Sequence, residues 1–133
     1  MKGFGENKHI LKKNNKFFSK DKLIRDAFEL HSQGKIFEAK SCYQNIIKKG
    51  IADPRVFTNL GVIYQKENDY ERAIKFFEKS INLFPESYEA YSNLGHIFLE
   101  GGQYDLAEKY LIKVINLKPD FFVAYQNLFN VYI

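Results

Sequence analysis

Three asparagines, Asn59, Asn93 and Asn127, stand 34 residues apart at each step. A carboxamide carries a donor and an acceptor side by side, which matches a single peptide unit. Three of them at a constant step form a ladder able to hold an extended chain by its backbone. No other polar residue type recurs unchanged over two such steps. His9, His31 and His96 are far apart and lack metal-ligand spacing, so they read as surface or groove residues. Cys42 sits beside Tyr43 with no His or Asp at a supportive distance, and reads as a small packing residue. There is no phosphate-cradling glycine motif, because Gly101-Gly102 reads as a helix–helix turn. The residues therefore point to binding without catalysis, cofactor or metal.

Composition agrees. The 133 residues suit one domain, 45% are hydrophobic, and 17% are aromatic without any Trp. One cysteine excludes an intrachain disulfide and fits a reducing, cytoplasmic compartment. No apolar run is long enough to span a bilayer. The net charge of +4 is unevenly placed: residues 1–20 hold six lysines and one acid, and the rest is close to neutral. Residues 1–18 read as a basic, disordered arm. Lysine outnumbers arginine 17 to 3, with Asn, Ile, Phe and Tyr also common, a bias that suggests an AT-rich, bacterial coding sequence. That bias weakens the case for nucleic acid, as does the lack of a base-reading motif.

The ladder must be positioned by helices. Ser19 is a candidate N-cap, followed by Leu23, Ile24, Ala27, Phe28 and Leu30 at helical spacing, and Gly34 allows the left-handed residue that ends a helix. Ala39, Tyr43, Ile46 and Ile47 form the stripe of a second helix, closed by Gly50. Asp53-Pro54 opens the next, with Asp as cap and Pro in the first turn, where a missing N–H costs nothing. Phe57, Leu60, Gly61 and Tyr64 are its apolar stripe, and Tyr70, Ala73, Ile74, Phe77 and Ile81 that of its partner. The pattern then recurs with Tyr91, Leu94, Gly95 and Phe98, and with Tyr104, Ala107, Leu111, Val114 and Ile115. A last helix begins near Phe122.

This two-helix period of 34 resembles the tetratricopeptide repeat. Three full units cover 20–53, 54–87 and 88–121, and 122–133 supplies the first helix of a fourth, so the domain spans 19–133. The resemblance rests on bulky Leu23, Phe57, Tyr91 and Tyr125 at position 4 of the unit, Leu60-Gly61 and Leu94-Gly95 at positions 7–8, Ala39, Ala73 and Ala107 at position 20, and Pro85 and Pro119 at position 32. It implies an all-α fold, a right-handed α-solenoid. The small residues let the helices of a unit approach closely, and aromatics fill the space around them. Asp26, Ile46 and Ile51 depart from the pattern in the first unit, and Phe129 takes the small position in the fourth. An apolar final helix is a poor solvating cap. It favours a chain that continues past Ile133, with self-association through this helix as the runner-up.

The resemblance also implies a concave groove lined by the first helix of each unit. Its candidates are Phe28, with Asp21, Ile24, Arg25 and His31; Arg55, Thr58, Asn59, Val62, Gln65 and Lys66; Glu89, Ser92, Asn93, His96, Leu99 and Glu100; and Val123, Gln126, Asn127 and Asn130. The asparagines resemble the ladder of repeat arms on certain glycosyltransferases. Two bonds each at about 1 kcal/mol supply at most roughly 6 kcal/mol. Association costs on the order of 4 kcal/mol, so apolar Phe28, Val62 and Leu99 or further repeats must contribute. A chaperone-tail clamp would need Lys, Asn, Asn, Lys and Arg where this chain has Ile24, Phe28, Asn59, Glu89 and Asn93. One match in five rejects that function. The expected role is a protein-interaction scaffold for a protein or peptide partner. The alternative is the N-terminal recruiting arm of a larger bacterial glycosyl-, sulfo- or methyltransferase.

Overall fold

A computed structural model describes residues 19–133. The basic arm expected over residues 1–18 lies outside them. Packing divides the chain into two units, one ending at Ile51 and one running Ala52–Ile133.

The first unit holds α1 (residues 19–32) and α2 (Ile36–Lys48). Ser19 is itself helical, so it is not the residue that caps α1. Gly34 ends α1 at φ 76° and Gly50 follows α2 at φ 74°, both in the left-handed region that a Cβ disfavours. Ile24, Ala27, Ala39, Tyr43 and Ile46 are buried. The Tyr43 ring, fully enclosed, keeps its hydroxyl satisfied 3.0 Å from His31 Nδ1. Phe28 lies tilted against the same ring at 6.1 Å between centroids.

The second unit holds α3 (Pro54–Lys66), α4 (Tyr70–Leu83), α5 (Tyr88–Glu100), α6 (Tyr104–Leu117) and α7 (Phe122–Tyr132). All seven helices of the described residues are joined without a strand, so the fold is the expected all-α repeat solenoid. α3 packs on α4 and α5 on α6, while α4 contacts α5 and α6 contacts α7. Asp53 caps α3 by accepting from the Arg55 amide at 2.9 Å, and Asp69 caps α4 by accepting from Arg72 at 3.2 Å. Asn68 takes φ 61° in the α3–α4 turn, the conformation that Gly102 takes in the α5–α6 turn at φ 72°.

The close approach expected at the small positions has a specific form. A methyl placed on Gly61 would meet the Phe77 ring at 2.8–3.1 Å, and on Gly95 it would meet the Leu111 side chain at 2.8 and 2.9 Å. Each glycine is thus a seat for one large side chain from the partner helix. Beside each seat lies an aromatic stack. Phe76 stacks on Phe57 and Tyr64 at 6.2 and 5.5 Å, and Tyr110, 34 residues on, lies against Tyr91 and Phe98 at 6.2 and 5.5 Å. Lys79 and Lys113 repeat that step, each ammonium 5.9 Å from the ring of Phe57 or Tyr91. Burial of the Tyr110 hydroxyl, with Glu78 and Tyr91 nearby, raises its pKa above the ordinary tyrosine value.

Candidate functional site

The first helices of the second unit, α3, α5 and α7, are neighbours, since α5 touches both of the others. They carry Asn59, Asn93 and Asn127 at the same place in the repeat, all three half-buried. Burial follows from helix geometry. The leucine after each asparagine turns inward, and Leu60 and Leu94 are fully enclosed. The asparagine is about 100° away on the helix, at the edge of the buried face.

The three carboxamides are not equivalent. Asn93 Nδ2 donates to the Glu89 carbonyl one turn back at 3.0 Å. That tethers the side chain along α5 and leaves its oxygen to accept a hydrogen bond. Asn59 and Asn127 make no side-chain hydrogen bond among the described residues. The same helices α3 and α5 carry half-buried Val62 and Leu99 and exposed Lys66 and Glu89. His96 places Nε2 3.2 Å from Glu100 Oε1, an ion pair when the ring is protonated.

Several expected groove residues are engaged elsewhere. Ile24 is a core residue, 2% exposed, because α1 buries the side on which it lies. Thr58 turns its hydroxyl to Ser80 Oγ at 2.7 Å, and Ser80, fully buried, donates to the Pro54 carbonyl at 2.9 Å. Arg55 folds back on its own cap, with Nε and Nη2 gripping Asp53 at 3.1 and 2.8 Å. Phe28 belongs to the first unit and packs on Tyr43. The candidate residues that fall in the second unit are Asn59, Asn93, Asn127, Val62, Lys66, Glu89, His96, Leu99 and Arg55. Ser80 had no signal in the sequence, whereas Phe76 and Tyr110 did, being aromatics one period apart.

No group of three potential metal ligands occurs among the described residues, and none of their helices is long and apolar enough to cross a membrane. A hollow of about 260 Å³ opens beside Tyr70, Ile74, Ile97, Phe98 and Gly101, and no ladder residue lines it.

A family model of the tetratricopeptide repeat matches residues 64–129, which run from the end of α3 into α7. Residues 64–129 belong to the tetratricopeptide repeat family. Solved structures superpose over most of the chain. MamA gives a TM-score of 0.79 at 22% identity, over 94% of this chain and 72% of that one. The first TPR of Spaghetti (RPAP3), bound to an HSP90 peptide, gives 0.77 at 23% identity, over 85% and 90%. The Yersinia enterocolitica type III secretion chaperone SycD, in complex with a peptide of the translocator YopD, gives 0.76 at 22% identity, over 84% and 91%. At these identities the likeness is one of fold. A search of curated protein sequences finds no match.

Proposed function

We propose that the second unit is a non-enzymatic scaffold that holds an extended peptide segment across α3, α5 and α7, bonding its backbone to Asn59, Asn93 and Asn127. The observation that supports this reading is the ladder itself: three carboxamides, half-exposed, at one repeat position on three adjacent helices. Two have no hydrogen bond of their own among the described residues. Val62 and Leu99 supply apolar contact beside them. Proteins of the same fold hold peptides, an HSP90 peptide in Spaghetti and a YopD peptide in SycD.

The ligand differs in kind from a chaperone tail. Glu89 stands where a carboxylate clamp has lysine, and its charge repels a terminal carboxylate. The favoured segment is an internal one, read by its backbone. Asn59→Ala combined with Asn93→Ala should weaken binding of a peptide selected from a library roughly 30-fold or more, at about 1 kcal/mol per lost bond. The melting temperature should move little, because neither side chain is part of the core. Unchanged affinity by calorimetry would remove the ladder from this function.

A further inference from the structure

α7 leaves a large apolar face uncovered. Only Ala124 is buried, together with partly buried Leu128 and Val131 against Leu111 and Val114. Phe122, Tyr125, Phe129 and Tyr132 are 81, 43, 63 and 64% exposed. They lie on the side that, on α3 and α5, receives the second helix of the pair.

That side of α7 is not shaped for such a helix. On α3 and α5 the partner's Phe77 or Leu111 sits on a glycine, within 2.8 Å of where a Cβ would be. α7 has Phe129 at the equivalent position, so the seat is filled. A helix that brought a side chain the size of Phe77 or Leu111 to that position would collide with the ring.

The stripe is instead shaped for a copy of itself. Its gaps of three, four and three residues are those of a coiled-coil seam, and they read the same in both directions. In an antiparallel pair Phe122 meets Tyr132 and Tyr125 meets Phe129, so a two-fold axis places an aromatic against an aromatic at every level. No side chain of residues 121–133 is charged, and Glu108, which accepts from the Tyr132 hydroxyl, falls at opposite ends of an antiparallel pair, so the two copies do not repel along the seam. At about 200 Å² per buried aromatic, the four rings leave roughly 500 Å² open per copy. Two copies would cover about 1,000 Å², the lower bound of a specific interface. Asn127 lies on the opposite side of α7, half a helical turn from the seam, so such pairing leaves the ladder free.

We infer that the chain forms an isologous dimer in which α7 of one copy packs antiparallel on α7 of the other. Sedimentation of the full chain over a wide concentration range should show a mass rising from 15.7 kDa towards twice that value. Phe129→Glu should hold it at the monomer mass with an unchanged helical circular dichroism spectrum, since the ring is already exposed. A chain with Tyr125→Glu and Phe129→Glu and one with Tyr125→Lys and Phe129→Lys should each be monomeric and should recover the doubled mass on mixing. A monomer at every concentration overturns the inference and leaves the face to further chain or to a different helix. A dimer that survives Phe129→Glu overturns it too, as do charged variants that fail to recombine.

Discussion

The pairs α3–α4 and α5–α6 share one spacing and are held together by different chemistry. In the first pair a rigid phenylalanine ring occupies the glycine seat; in the second a leucine does. Ser80 of α4 bonds across to Thr58 and the Pro54 carbonyl, while α6 has apolar Val114 at the equivalent place, equally buried. α3 begins with a capping carboxylate; α5 begins after Ser87, whose side chain makes no cap bond. The aromatic stack has Phe76 at its centre in one pair and Tyr110 in the other. What is constant is volume: a small residue facing a large one, and a flat ring across two others. What varies is polarity and stiffness. The repeat therefore conserves a packing geometry rather than a set of bonds.

The difference can be tested most strongly at the seat itself. Phe77→Ala should destabilise by about 3–5 kcal/mol in urea unfolding, and Leu111→Ala by about 2–4 kcal/mol. Equal losses would show that volume alone matters. The glycines probe the same contact from the other side. Alanine gains about 1 kcal/mol of helix propensity, but overpacking costs about 1–3 kcal/mol. Because the Phe77 ring is stiff and Leu111 can change rotamer, Gly61→Ala should lose roughly 1–2 kcal/mol net and Gly95→Ala less. At the helix starts, Asp53→Ala should cost about 1 kcal/mol and Ser87→Ala under about 0.5 kcal/mol; a similar cost at both would mean that Ser87 caps in solution.

The smallest effect is alkaline. Tyr110 has its pKa raised by burial, then by Glu78 and Tyr91, so the folded chain retains a proton that the unfolded chain releases. Its contribution is complete below the unfolded tyrosine value near 10 and is lost as pH rises through the folded value. Stability measured against pH should fall above about 10, and Tyr110→Phe, which copies Phe76, should flatten that fall.

Much of this was legible in the sequence because the period repeats the same steric demand. Gly61, Gly95, Ala73 and Ala107 stood where helices approach, and all are buried. Other residues were hidden for physical reasons. Val56, Ala90 and Ala124, with Ile63 and Ile97, are buried on the first helices although they lie off the stripe read as apolar. A helix inside a stack is covered on two sides, by its partner and by the neighbouring pair, and a single stripe describes only one. Thr58 and Ser80 look like surface hydroxyls until they are seen to satisfy each other. On the candidate face the asparagines were readable from spacing alone. The tether of Asn93 to the Glu89 carbonyl was not, because Asn59 and Asn127 show the same side chain without that bond.

The neighbour-to-neighbour packing of α3 through α7 also governs how this unit is made and unmade. Each helix contacts elements close to it in sequence, so little loop entropy opposes its first contacts and folding should be fast. Stability is then a sum over adjacent interfaces, as in a one-dimensional chain of coupled units. In the monomer α7, with one buried residue, holds the weakest link. Its amides should exchange with solvent before those of α5 and α6, which turns protection into a gradient along the stack.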